Sequence, residues 1–144
     1  MKSSLQATKE STIGHFESPE LFLAGLDART TASLISAAAD VALILDEHGV
    51  IRDMAFGSDE LQQHGYHDWL GKSWLDTVTV ESRPKVEEML SEATSIGSAK
   101  WRHINHPSAD SADLALLYTI VPLSSEAGAN RAVAFGRDLR SQVA

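Results

Sequence analysis

From Val41 onward the apolar positions fall into two runs broken by a short polar loop. Val41-Ala-Leu-Ile-Leu45 and Val50-Ile-Arg-Asp-Met-Ala-Phe56 flank Asp46-Glu-His-Gly49. An Asp opening such a loop bonds the backbone two residues on, and a closing Gly accepts a positive φ. The pattern predicts a β-hairpin. Upstream, residues 1–15 are polar without a hydrophobic period and read as a flexible tail. Ser18-Pro19-Glu20 reads as a helix start: Ser18 caps free N–H groups, Pro19 suits the first helical position and Glu20 the positive helix end. Leu21, Phe22, Leu23, Ala24 and Leu26 then cover more than one helical face, and a second run, Thr31–Ala39, carries Leu34 and Ile35. Residues 16–39 read as an N-terminal helical cap. Its apolar surface either packs on its own domain or waits for a partner chain, since a short helix that is apolar on several sides is seldom left in water.

After the hairpin, Ser58 caps a short helix through Gln63 that Gly65 stops, and Tyr66–Leu70 forms another turn closed by Gly71. A longer helix begins near Glu81 with Pro84 in its first turn. Val86, Met89, Leu90, Ala93 and Ile96 give its apolar stripe, Glu87, Glu88 and Glu92 its wet side, and Gly97 its end. Three strands follow: Ala99–His106, Asp113–Val121 and Arg131–Arg137. Along the second, Leu114, Leu116, Tyr118 and Ile120 share one face, and Ala115, Leu117 and Val121 the other. Pro122–Asn130 reads as the connection between the last two strands. Five antiparallel strands, split two and three around a helical insert, describe an α+β domain over residues 40–139, with one sheet and helices on one face. Residues 140–144 read as the start of a linker to further domains.

Composition narrows the function classes. The 144 residues carry a formal net charge of −8, so nothing draws this chain generally to phosphate backbones. No apolar run nears the ~20 residues needed to cross a bilayer, which gives no expectation of a membrane contact. Cysteine is absent. That removes disulfides, thiol nucleophiles and thiolate metal sites, and fits a cytoplasmic protein.

Four local sequences in order resemble the PAS domain family. They are the hairpin with its Asp46-Glu-His-Gly49 turn, Leu70-Gly-Lys-Ser-Trp-Leu-Asp76, Ser82-Arg-Pro-Lys-Val86, and Phe135-Gly-Arg-Asp-Leu139. The resemblance implies a PAS fold: a five-stranded antiparallel sheet with helices on one face, here with an N-terminal helical extension. A wider resemblance, from Ser18-Pro19-Glu20 through Gly49, is to the N-terminal domain of PpsR/CrtJ-type repressors of photosynthesis genes. It implies self-association as a homodimer or higher oligomer, and docking of an antirepressor of the AppA type. It also implies DNA binding through a helix-turn-helix elsewhere, this chain being a fragment.

Catalysis is not expected, because no nucleophile, base and oxyanion donor can be placed together. No Gly-rich phosphate loop or metalloprotease motif is present. A flavin adduct needs a Cys, and an oxygen-sensing haem of this family a His on the long helix, where Glu81–Ile96 has none. No cofactor is therefore expected. His103 and His106 point to opposite faces of a strand, and His64 and His67 straddle Gly65, so both pairs read as structural. The candidate interface is Leu21, Phe22, Leu26, Leu34 and Ile35, together with the outer sheet face. Met54, Phe56, Trp74, Met89, Leu90, Trp101 and Leu117 are core, or the lining of a ligand pocket in the alternative reading of a small-molecule sensor, haem among its ligands.

Overall fold

Asp46 builds the first turn. Its carboxylate accepts the N–H groups of His48 (2.8 Å) and Val50 (3.0 Å) and Nε–H of Arg52 (2.8 Å). Gly49 takes φ +78°, a conformation a side chain rarely adopts. The hairpin that results, β1 (Val41–Leu45) and β2 (Ile51–Phe56), is antiparallel with a bulge near Ile44/Leu45. The structure is a computed structural model that describes residues 16–57, 61, 66–92, 100–108, 112–123 and 131–139.

Among the described residues two helices precede the hairpin: α1 (Pro19–Phe22) and α2 (Ala28–Ala38). Pro19 holds the first position of α1, but Ser18 makes no side-chain cap; its carbonyl accepts from Leu21 N–H instead. The capping side chain sits further on: Asp27 takes Thr30 N–H at 2.8 Å and starts α2 three residues earlier than the apolar pattern indicated. Residues up to Ala32 and residues from Ser33 onward form separate units.

In the second unit, one 3₁₀ turn spans Tyr66–Trp69 and two more, Trp74–Thr77 and Val80–Ser82, lead into α3 (Arg83–Glu92). The long helix thus begins two residues after Glu81, with Pro84 at its second position. β3 (Arg102–His106), β4 (Leu114–Leu123) and β5 (Arg131–Asp138) complete the sheet, whose order is β2-β1-β5-β4-β3, every neighbouring pair antiparallel. This is the expected α+β architecture. β4 runs two residues further than its apolar alternation, because Pro122 and Leu123 still pair with Ala132 and Arg131. Among the described residues β3 pairs no further along β4 than Tyr118, so the stretch beyond it lies at a sheet edge, where proline is admitted.

Period 2 sorts the sheet. Leu114, Leu116, Tyr118 and Ile120 are buried in one core with Val41, Leu43, Leu45, Ile51 and Ile104. Val86 and Met89 of α3 enter the same cluster, with Leu90 packed against it. Arg102 ties α3 to β3 through Glu88 (3.1 Å) and Glu92 (3.0 Å). The outer backbone edge of β3 is also occupied: Asn105 O accepts Thr79 N–H, Asn105 N–H reaches Ser82 Oγ, and Lys85 Nζ donates to His103 O. The expected end of the long helix at Ala93–Gly97, the helix from Ser58 to Gly65 apart from Leu61, and residues 1–15 and 140–144 lie outside the described residues.

Candidate functional site

The polar chemistry of the core converges on His106. It ends β3 opposite Leu114, and strand alternation turns it inward with Ile104 while His103 faces out. Its ring is fully buried. Nδ1 lies 2.7 Å from the Thr77 carbonyl, which only accepts, so Nδ1 carries the proton and donates. Nε2 then accepts from the Tyr118 hydroxyl at 2.9 Å. Three segments meet here: the Trp74–Thr77 turn, β3 and β4.

Aromatic rings close the site. Trp69, brought in by the turn that Gly71 ends at φ +85°, stacks on His106 with centroids 4.0 Å apart and planes 25° apart. Trp74 meets Tyr118 edge-on at 5.2 Å. Across the sheet Tyr118 faces Gly136, and a Cβ there would stand 2.9 Å from its Cε1. Glycine at 136 is thus the room in which the phenol ring lies.

Burial decides the charge state. It drives the His106 imidazole down to about 4, against a small opposing effect of the Thr77 carbonyl. Burial likewise raises the Tyr118 phenol well above its ordinary value. The neighbouring Trp74 indole offsets part of that rise. Its N–H does not reach hydrogen-bond geometry and has no acceptor among the described residues. At neutral pH the pair is uncharged, with both imidazole nitrogens engaged. Such a pair links segments; it is not poised to exchange protons with a substrate.

Of the residues singled out as core or pocket, Trp74 and Met89 are fully buried, while Met54, Phe56 and Leu90 are half-buried against the same cluster. Phe56 lies 6.4 Å from Trp69, ring to ring. Leu117 and Trp101 are not brought to this group. Leu117 alternates to the other face of the sheet, where it pairs with Arg137. Trp101 is 40% exposed, and Arg137 Cζ lies over its ring, 4.4 Å from the ring centroid. Of the candidate interface, Leu21 and Leu34 are 75% and 53% exposed, Leu26 is exposed and Ile35 half-buried. The side chain of Phe22 lies outside the described residues, as do His64 and the side chain of His67. Among the described residues no cluster of His, Asp and Glu could hold a metal ion.

The family model described as the PAS fold matches residues 35–144, most of the chain. The chain belongs to the PAS family. Among solved structures it is similar to the PAS domain of a Colwellia psychrerythraea protein. That match has TM-score 0.59 and 19% identity, over 78% of this chain and 97% of that one. It is also similar to the PAS domain of the fruit-fly ELK potassium channel, with TM-score 0.57 and 14% identity over 80% of this chain and 98% of that one. A third is a PAS domain from a two-component sensor histidine kinase, with TM-score 0.55 and 12% identity over 76% and 94%. No curated protein matches the sequence. No helix among the described residues of this PAS domain is long and apolar enough to cross a membrane.

Sequence reasoning did not single out the His106–Tyr118 pair. A signal was available: Tyr118 alternates with Leu114, Leu116 and Ile120, and His106 falls two residues after Ile104. A polar group on an apolar strand face needs a partner on the same face.

Proposed function

We propose that this PAS domain is a non-catalytic self-association and docking module of a transcriptional regulator. The regulator is a repressor of photosynthesis genes of the PpsR/CrtJ type that its sequence resembles, and the domain engages an antirepressor of the AppA type. DNA contact is assigned to other segments, in keeping with a net charge of −8. Absence of cysteine supports a cytoplasmic setting. One observation carries the reading: none of the eleven residues of α2 is buried. A helix of this length is marginal in water by itself and draws its stability from packing. With Leu34 more than half exposed, a partner surface is the natural source of that packing.

The test is oligomeric mass by size exclusion with light scattering. Leu26→Glu with Leu34→Glu should lower the mass while the circular dichroism of the domain stays unchanged. An unaltered mass removes these positions from the interface.

One observation favours a second reading, a sensor of a small polar molecule: the fully buried Trp74 indole N–H has no acceptor among the described residues. An absorption spectrum before and after addition of haem or flavin, together with thermal shift against a panel of small polar compounds, tests it.

A further inference from the structure

The outward side of β3, β4 and β5 carries an aromatic and cationic corner. The Arg137 guanidinium carbon lies over the exposed ring of Trp101, 4.4 Å from the ring centroid, a cation–π contact that holds the guanidinium in place. A guanidinium stacked on an indole keeps its N–H groups in its own plane, free for other partners. Arg137 has no carboxylate partner and no hydrogen-bond acceptor among the described residues. Neither has Lys100, the residue before Trp101. Leu117, half-buried, lies beside Arg137 in register, and His103 lies beside Leu117. This contrasts with Arg102, whose charge is taken up by Glu88 and Glu92. In a chain of net charge −8, a cation seated on an exposed Trp, with no anion beside it among the described residues, stands out.

We infer that the Trp101–Arg137 pair anchors a carboxylate-bearing peptide segment of a partner protein. A partner Asp or Glu meets the open guanidinium edge in a two-pronged hydrogen bond, and a neighbouring apolar side chain lies against Leu117 and the free rim of Trp101. The chemistry of the corner supplies the argument. Planar guanidinium edges match carboxylates, and Trp and Arg are the residue types most enriched where binding energy concentrates. The occupant is a short acidic peptide and not a polyanion. Local cations act within about 8 Å at physiological salt, so a few carboxylates feel the corner, whereas a nucleic acid strand meets the negative charge of the whole chain. The inference rests on the proposed docking role and names the chemistry of one partner, on residues other than those of α2.

The probe is a labelled peptide, acetyl-Leu-Asp-Glu-Leu-amide, paired with its uncharged counterpart acetyl-Leu-Asn-Gln-Leu-amide. Both are titrated into the 144-residue chain and followed by anisotropy and amide chemical shifts. The acidic peptide should bind roughly 10-fold or more tightly than the amide form, with shifts centred on β3 and β5, consistent with charge-assisted hydrogen bonds. Arg137→Gln should abolish the difference, and Arg137→Lys should weaken it several-fold by losing the fork. Trp101→Ala should weaken it too, and circular dichroism on each variant confirms the fold. Equal binding of the two peptides, no effect of Arg137→Gln, or shifts centred on α2 would overturn the inference. So would Arg137-dependent binding of a single-stranded oligonucleotide in place of the peptide. Oligomeric mass, measured separately on the α2 variants, keeps the two proposals distinct: a mass that falls on α2 substitution beside a failed peptide titration removes this corner alone.

Discussion

Acidification should weaken the fold through His106, by an amount that follows from its burial. Its folded value is about 4 against 6.5 for a free histidine, so the unfolded chain takes up a proton over a range where the native one does not. The contribution is fully present above pH 6.5 and is lost as pH falls from there to about 4. Integrating proton uptake with these two values gives a loss of about 2 kcal/mol between pH 7 and pH 5, and about 3 kcal/mol by pH 4. For a domain of this size, that corresponds to a fall in Tm on the order of 6–10 °C between pH 7 and pH 5. Urea denaturation at half-unit steps from pH 7.5 to 4.5, on the native chain and on His106→Gln, measures it. The variant retains whatever the other five histidines contribute. Subtracting its curve therefore isolates His106. Proton–nitrogen correlation spectra of the imidazole should also show the proton on Nδ1 down to pH 5. Matching slopes in the two proteins, or a His106 titration near 6.5, would refute the reasoning.

Two further outcomes follow from the packing. Gly136→Ala places a Cβ 2.9 Å from the Tyr118 ring, so the ring must shift against His106 and Trp74; chemical denaturation should show a loss of about 1–3 kcal/mol. Asp46→Ala removes the acceptor for two backbone N–H groups and Arg52, and should cost about 1–2 kcal/mol, with faster amide exchange at His48 and Val50 as the local signature.

The parts of the fold legible in sequence were those governed by local pattern. The Asp46–Gly49 turn carries its own chemistry, and the alternation along β4 sorts its two faces by itself. Helix starts were less legible, because several side chains compete to cap. Ser18 and Asp27 both suit the role, and only Asp27 performs it on a following N–H. The His106 cluster was illegible for a different reason. Its partners stand 29 and 12 residues away, and no local pattern brings Thr77 under β3. Trp101 shows the limit of residue type. Hydrophobicity groups it with Trp69 and Trp74, but it sits one residue before β3 begins, where strand alternation gives no direction.

The occupied rim of β3 has a bearing on how the molecule behaves when concentrated. A terminal strand with bare amide and carbonyl groups is a template on which another chain can crystallise into cross-β order. Here the Asn105 amide and carbonyl and the His103 carbonyl are already engaged, by Ser82, Thr79 and Lys85. Fibril seeding from that side would first have to strip three bonds from the folded protein. On that side, contacts between molecules are thereby steered toward side chains, which discriminate among partners, and away from backbone pairing, which does not.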